Sequence, residues 1–155
     1  MLAILVAALV LALDQWTKWL VSHRLTEFTE VPVIRGFFSL QFVQNPGAAF
    51  GMLAHKQWLF IAVSLAVVGA ILYYLRRPEM KRGLVPWALG LLLGGALGNL
   101  VDRIRFGRVV DFFLFFWKNY TFPNFNVADI AITVGVGLLI LHLMLTGEKQ
   151  QREGV

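Results

Sequence analysis

The sequence predicts an all-α integral membrane protein with a four-transmembrane-helix bundle, and three observations carry this prediction. Hydrophobic residues make up 58% of the 155 residues and charged residues only 15%, a balance typical of membrane proteins and not of soluble ones. Four apolar runs are each long enough to cross a bilayer. Most cations lie at the ends of these runs, where they act as topology signals. The net charge of +5 therefore gives no reason to expect a nucleic-acid partner.

The four spans are predicted at residues 2–21, 58–75, 84–101 and 127–145 of a single domain covering residues 1–155. A cleaved signal peptide is the alternative for the first run. No Lys or Arg precedes that run, however, and its helical pattern continues into aromatic and charged residues instead of a small-residue cleavage site. We therefore expect the first span to be retained.

Charge placement predicts the orientation of the bundle. The densest basic cluster lies between the second and third spans, so the positive-inside rule puts this loop in the cytoplasm. Both termini are then cytoplasmic, and segments 22–57 and 102–126 lie outside. The cluster consists of Arg76, Arg77, Lys81 and Arg82.

The two outer segments differ in composition. In residues 22–57, apolar Phe38, Leu40 and Phe42 alternate with polar residues, which predicts a small extracytoplasmic β-sheet. The sequence Asn45-Pro46-Gly47 adds a turn signal. Residues 106–129 contain nine aromatic residues and are predicted to form an extracytoplasmic aromatic loop.

Only four aspartates occur in the chain, and the predicted topology places all of them in the outer half of the membrane or at its outer surface. Carboxylates are costly in such places, so each needs a partner or a role. Four acids that converge at one end of a bundle predict a functional site there. They are Asp14, Asp102, Asp111 and Asp129.

Structural roles compete with functional ones for several polar residues. Asp14 precedes Lys18 by four residues, which is the favourable order for an ion pair within a helix, and we favour this pairing over catalysis. Asn99, Asp102 and Arg103 share one helical face. Either a helix end with a snorkelling arginine or a polar network that supports the site would account for that face.

Asp111 and Asp129 are the candidates for chemistry. Asn126 and Asp129 have the spacing of an N-cap with an acid in the first turn, which could by itself explain both residues. Asp111 has no cap and no turn signal, although Arg108 could pair with it in a helix. Two carboxylates in a desolvated site tend to share one proton, so one can act as base and the other as acid. Such a pair can activate water against an amide carbonyl and protonate the leaving nitrogen.

Other catalytic mechanisms find little support in the sequence. The chain has no cysteine, which excludes a thiol nucleophile. Its three histidines form neither an HxxxH nor an HExxH pattern, so we expect no metal. The serines lack a nearby base, and no nucleophile elbow is present. No cofactor is expected.

Five blocks of sequence stand out along the chain: DQWTK (14–18), NPGAAF (45–50), GGALGNLVDR (94–103), VVDF (109–112) and FNVAD (125–129). In this order they resemble the motif blocks of the type II signal peptidases, the lipoprotein signal peptidases of bacteria. Because five blocks match in the right order over nearly the whole chain, the resemblance is specific.

The resemblance implies an intramembrane aspartyl endopeptidase of the bacterial cytoplasmic (inner) membrane, with its active site at the extracytoplasmic surface. Such an enzyme removes the signal peptide from prolipoproteins and cuts N-terminal to a diacylglyceryl-modified cysteine, so this substrate and membrane lipid are the implied partners. It also implies that Asp111 and Asp129 are the catalytic pair and that the aromatic loop covers the site. The residues implied to bind substrate or support the site are Asp14, Lys18, Asn45, Gly47, Asn99, Asp102, Arg103, Asn126 and Ala128.

Two other functions are compatible with an apolar, acid-bearing chain. A transporter or proton-conducting protein would use intramembrane acids, but it predicts acids spread through the membrane depth and often repeated halves. An assembly factor that binds a partner through its aromatic segment would leave Asp111 and Asp129 individually dispensable. The acids at one end and the lack of a repeat favour the peptidase.

Overall fold

Four helices dominate the computed structural model, which describes residues 1–47 and 56–153, without the side chains of residues 79, 81 and 147–153. Each of the four contains a stretch that is long and apolar enough to cross a membrane. The prediction of four apolar helices is confirmed, although the third runs well past its predicted end at residue 101. The helices are α1 (Leu2–Arg24), α2 (Gln57–Tyr74), α3 (Val85–Phe106) and α4 (Val127–Glu153).

Helix α3 lies at the centre of the bundle and packs against the other three helices. Its membrane-length window is 72% buried, whereas the corresponding windows of the other helices are at most 28% buried. Close packing depends on glycine. A Cβ atom on Gly90 would lie 2.7 Å from the backbone oxygen of Ala3, and one on Gly94 would lie 2.7 Å from that of Ala7. Small residues thus let α1 approach α3 closely, as helices in lipid require.

A small antiparallel sheet joins the helices at one end, as the alternation in segment 22–57 predicts. Its spatial order is β1-β2-β3-β4. Strands β1 and β2 belong to segment 22–57, and the other two come from the aromatic segment. The strands are β1 (Glu30–Ile34), β2 (Phe38–Asn45), β3 (Val109–Trp117) and β4 (Tyr120–Thr121).

The aromatic segment is mostly strand, which corrects the prediction of a loop. Helix α3 continues to Phe106, and residues 109–117 then form β3, which pairs with β2. Aromatic and β-branched residues favour this extended conformation because they pack well on a pleated surface. A helical pairing of Arg108 with Asp111 is therefore also wrong. Between β4 and α4 a short connection remains, and it contains Phe122 and Phe125.

Candidate active site

Asp111 lies on β3, and its side chain is 3% exposed. Successive residues of a strand point to opposite faces, so Asp111 faces the pocket while Phe112 packs against Val21 and Phe42. Asn45, at the end of β2, donates from Nδ2 to Oδ2 of Asp111 at 2.9 Å. Its own Oδ1 accepts the N–H of Gly47 at 2.9 Å. The turn that follows β2 therefore orients the amide that contacts Asp111.

Asp129 lies in the first turn of α4 and forms a capping box with Asn126. The N–H of Asp129 donates to Oδ1 of Asn126 at 3.0 Å, and Oδ2 of Asp129 accepts the N–H of Asn126 at 3.1 Å. The predicted cap is thus confirmed. The other oxygen, Oδ1, accepts from Nδ2 of Asn99 at 2.8 Å. Both carboxylate oxygens of Asp129 therefore accept a hydrogen bond, one from the cap residue of α4 and one from α3.

Asn126 connects the two acids. It is fully buried, and its Nδ2 donates to Oδ1 of Asp111 at 2.7 Å while its oxygen caps Asp129. The preceding residue explains how these distant parts of the chain meet. The carbonyl of Phe125 accepts the N–H of Phe113 at 2.8 Å, and its own N–H donates to the carbonyl of Phe113 at 3.2 Å. This pairing with β3 brings the start of α4 beside Asp111.

Asp111 is an unusually weak acid in this environment. Burial raises the pKa of Asp111 from its ordinary value of 3.8 to about 7, and the negative charge of Asp129 adds to the rise. Hydrogen bonds from Asn45 and Asn126 oppose it without cancelling it. A carboxyl group whose pKa lies near neutrality can carry a proton and give it up during a reaction.

A buried ion-pair cluster lies beside the two acids. Nζ of Lys18 is 2.9 Å from Oδ2 of Asp14 and 2.9 Å from Oδ2 of Asp102, and all three side chains are at most 4% exposed. The predicted pairing of Asp14 with Lys18 is confirmed, and Asp102 joins it from α3. Gln15 donates to Asp102 at 2.9 Å and to Asp14 at 3.2 Å, so α1 and α3 are linked by charge and by hydrogen bonds.

Arg103 faces the site instead of snorkelling away from it. Its guanidinium carbon lies 5.0 Å from the centre of the Phe60 ring, and Nη1 donates to the carbonyl of Asn99 at 3.3 Å. Phe60 belongs to α2, so α2 contributes to the site by stacking against this arginine. Gln57 also contacts it, donating to the backbone carbonyl of Arg103 at 2.8 Å.

Asp111 and Asp129 border one cavity of about 390 Å³. Of the residues implied by the resemblance, the structure places Asn45, Gly47, Asn99, Arg103, Asp111 and Asp129 on its wall. Asp14, Lys18, Asp102, Asn126 and Ala128 lie behind that wall, all buried. Ala48, Ala49 and Phe50 of the NPGAAF block fall outside the described residues. Among the side chains that the structure describes in residues 1–47 and 56–146, no group of three or more acids or histidines could hold a metal ion.

Four residues that the sequence patterns did not single out also contribute to the site. Gln15 bridges two acids, and its signal was available, because it is a polar side chain within an apolar span. Gln57 and Phe60 support Arg103 from α2, and Asn124 lines the cavity. No sequence pattern marks these three residues, because their roles depend on which helix and which strand come to lie beside them.

The fold and the cavity together define a class: a protein with four helices apolar enough to cross a membrane and two aspartates, Asp111 and Asp129, on the wall of one cavity. Comparison with known proteins specifies this class. The sequence model of the family described as Signal peptidase (SPase) II matches residues 6–145. The chain belongs to this signal peptidase II family, and it is therefore a peptidase.

Individual relatives agree over the full length of the chain. A lipoprotein signal peptidase of Symbiobacterium thermophilum is 58% identical, with 96% of this chain and 98% of that protein covered. The lipoprotein signal peptidase of Bacillus subtilis is 40% identical, with 99% of each covered. A solved structure described as a bacterial membrane enzyme has a TM-score of 0.88 at 33% identity and covers 95% of this chain and 90% of that chain. The resemblance to the type II signal peptidases is confirmed.

Proposed function

We propose that the chain is an intramembrane aspartyl endopeptidase that removes signal peptides from bacterial prolipoproteins, with Asp111 and Asp129 as its catalytic pair. Membership of the family supports the reaction. The observation that carries the residue assignment is that both carboxylates border one cavity and are joined through Asn126. Paired carboxylates of this kind can share one proton and divide the roles of acid and base.

The two acids differ in a way that assigns their roles. Asp111 carries the proton, since burial raises its pKa to about 7. We assign the role of base to Asp129, because two N–H donors hold its oxygens and it lies at the N-terminus of a helix. Asp129 then takes a proton from water as the water oxygen attacks the scissile carbonyl carbon, and Asp111 protonates the carbonyl oxygen. When the tetrahedral intermediate collapses, the proton on Asp129 passes to the leaving nitrogen and Asp111 recovers its own.

Several polar groups on the cavity wall are suited to hold the substrate backbone. The Arg103 guanidinium supplies donors beside the proposed catalytic pair, and Asn45 lines the same cavity. The guanidinium interacts electrostatically with both Asp129 and Asp111. Gly47 also lines the cavity. We assign Asn45, Gly47 and Arg103 to substrate binding, and Asn126 and Ala128 to support of the site.

An apolar groove of about 560 Å³ adjoins the polar cavity. Phe122 and Phe125 line both, so a substrate can extend from one into the other. A cysteine bearing a diacylglyceryl group fits this arrangement, because its peptide bond needs polar contacts and its acyl chains need an apolar neighbour. The groove is completed by Phe37, Phe115, Phe116 and Trp117.

The active site is proposed to lie at the extracytoplasmic face of the bacterial inner membrane. The basic cluster between α2 and α3 supports a cytoplasmic location for that loop. The sheet and the acids lie at the other end of α3, so they are assigned to the outside, and both termini to the cytoplasm. A signal peptide that has been exported would present its cleavage point at the outer face.

The lipid on the substrate is expected to determine cleavage. A prolipoprotein with a diacylglyceryl-cysteine should be cut with a kcat/KM at least about 100-fold above that of the same precursor without lipid, because binding energy remote from the scissile bond fixes its position. Cleavage by the purified protein in detergent is followed by mass spectrometry, which also locates the cut before the cysteine. No cleavage of either precursor would contradict the proposed function, and equal cleavage would contradict the role of the lipid.

Sidedness is testable because the chain has no cysteine. Lys118→Cys, in the turn between β3 and β4, should react with a membrane-impermeant maleimide in intact spheroplasts. Arg82→Cys, in the loop between α2 and α3, should react only after permeabilisation and serves as the matched control. The opposite labelling pattern would overturn the proposed orientation.

Activity is expected to fall as pH rises above about 7. A carboxyl group with a raised pKa keeps its proton below that pKa and loses it above, so the protonated form of Asp111 declines about tenfold per pH unit on the alkaline side. The alkaline limb of kcat/KM against pH measures this pKa. Thermal unfolding over the same pH range is the control, and a kcat/KM that stays constant to pH 9 would rule out Asp111 as the acid.

A further inference from the structure

The buried cluster of Asp14, Lys18 and Asp102 has contacts that the proposed mechanism does not use. None of the three side chains lines the 390 Å³ cavity, so they do not reach substrate there. Each acid nevertheless accepts a backbone N–H outside its own helix. Oδ1 of Asp14 accepts the N–H of Ala128 at 2.9 Å, and Oδ2 of Asp102 accepts the N–H of Val110 at 3.1 Å.

The two backbone groups have related places in the sequence. Ala128 directly precedes Asp129, and Val110 directly precedes Asp111. A hydrogen bond to a peptide N–H fixes the backbone from which the next side chain projects. The N–H of Ala128 also lies in the first turn of α4, where helix donors have no partner within the helix. Asp14 and Asp102 therefore hold the two peptide units that carry the catalytic acids.

Lys18 connects Asp14 with Asp102. Its ammonium group contacts Asp14 and Asp102, both at 2.9 Å, and donates to Oδ1 of Asn99 at 2.9 Å. Asn99 in turn donates to Asp129 at 2.8 Å. A continuous set of short contacts thus runs from the backbone before Asp111, through Lys18, to the backbone before Asp129 and to its carboxylate.

We propose that Asp14 and Asp102 are positioning residues that set the separation of the catalytic acids through the peptide N–H groups of Ala128 and Val110, with Lys18 as the link between them. This inference rests on the proposed function, because it takes Asp111 and Asp129 to be the catalytic pair. It assigns to the buried cluster a task beyond mutual neutralisation of charge.

Asp14 and Asp102 use their carboxylate oxygens differently, and substitution by asparagine tests this difference. Asp14 uses separate oxygens: Oδ1 for Ala128 and Oδ2 for Lys18. Asp102 uses a single oxygen, Oδ2, for both Val110 and Lys18. Its Oδ1 accepts from Nε2 of Gln15 at 2.9 Å, and the same Nε2 also donates to Oδ2 of Asp14 and to the carbonyl of Gly98, both at 3.2 Å.

Asparagine at position 102 therefore leaves the backbone contact intact, whereas asparagine at position 14 does not. In Asp102→Asn, the remaining oxygen keeps the contacts with Val110 and Lys18, and the hydrogen bond from Gln15 is lost because its Nε2 then faces the new amide group. In Asp14→Asn, the amide group must face either the N–H of Ala128 or the ammonium of Lys18, and donor would meet donor. Both variants remove one negative charge from the same cluster, so they are matched controls for each other.

Steady-state cleavage of a lipid-modified precursor by the two full-length variants tests the proposal. We expect Asp14→Asn to lower kcat about 100-fold with little change in KM, because a small misplacement of a catalytic group has an effect of that size. Asp102→Asn should lower kcat less than about tenfold, whereas Asp102→Ala, which removes the acceptor, should lower it about 100-fold. Thermal unfolding of each variant is recorded beside the kinetics.

Each outcome decides the question. A loss of about 100-fold or more in Asp102→Asn would overturn the proposal whether or not Asp14→Asn folds, because this variant keeps the contact with the N–H of Val110. Equal losses in Asp102→Asn and Asp102→Ala would overturn it as well. If Asp111→Asn and Asp129→Asn abolish cleavage while these patterns fail, only the positioning role is wrong. If Asp111→Asn and Asp129→Asn retain cleavage, the proposed function itself is wrong.

Discussion

Replacing Asp111 or Asp129 by asparagine is expected to lower kcat for signal-peptide release by about 10³- to 10⁴-fold in each case. Asparagine keeps the size of the side chain but neither carries nor accepts the shared proton, so the general acid or the general base is lost. Because the two acids act as one unit, the double variant should be little worse than either single one. Cleavage of a lipid-modified precursor by purified protein in detergent measures all three variants.

Glu30→Gln is the matched control for this experiment. It makes the same acid-to-amide change on the same sheet, but Glu30 contacts Ser39 and does not border the catalytic cavity. We expect its kcat to stay within about twofold of the parent value, as for a surface substitution. Turnover retained in Asp111→Asn or Asp129→Asn at the level of this control would exclude the catalytic pair.

Replacing Asn126 by alanine is expected to impair both activity and folding. The variant loses the donor to Asp111 and the cap of α4 in a fully buried position. Losing a cap costs about 1 kcal/mol, and leaving buried polar groups without partners costs about 1–3 kcal/mol. The free energy of unfolding should fall by about 2–4 kcal/mol, and kcat by about 100-fold, measured by thermal unfolding and by precursor cleavage.

Asn126→Ser separates the two effects. Serine supplies an oxygen that can cap α4, but it has no amide to donate to Asp111. Stability should recover by about 1 kcal/mol relative to the alanine variant, while kcat stays low. Asn119→Ala, in the exposed turn between β3 and β4, controls for loss of an asparagine side chain. Full activity in Asn126→Ser would contradict the role of the amide.

Much of the helical architecture could be predicted, because lipid imposes simple rules on sequence. A span needs about 20 apolar residues, so four helices could be recognised from composition alone. Asp14 and Lys18 could be paired from spacing within one helix, and Asn126 and Asp129 from capping chemistry. In each case the partner lies within four residues, where local geometry fixes which side chains meet.

Contacts between distant residues could not be predicted in the same way. The sequence predicts a loop where β3 carries Asp111, because aromatic residues suit both an apolar loop and a strand until pairing with β2 is known. The contact of Asp14 with Ala128 joins positions 114 residues apart, and no spacing rule covers it. The prediction that the acids converge was correct in outline because burying them requires partners, but the identity of those partners depended on tertiary structure.

The bond between the first helix and the start of the last has a consequence for biosynthesis. Asp14 and Lys18 emerge early and can neutralise each other within α1 before any other helix has entered the membrane. The N–H of Ala128, which binds Asp14, and the pocket acid Asp129 are present only when the ribosome has translated the start of α4. A nascent or truncated chain that ends before α4 therefore lacks Asp129, one half of the proposed catalytic pair, and on this proposal it gains proteolytic activity only as synthesis nears completion.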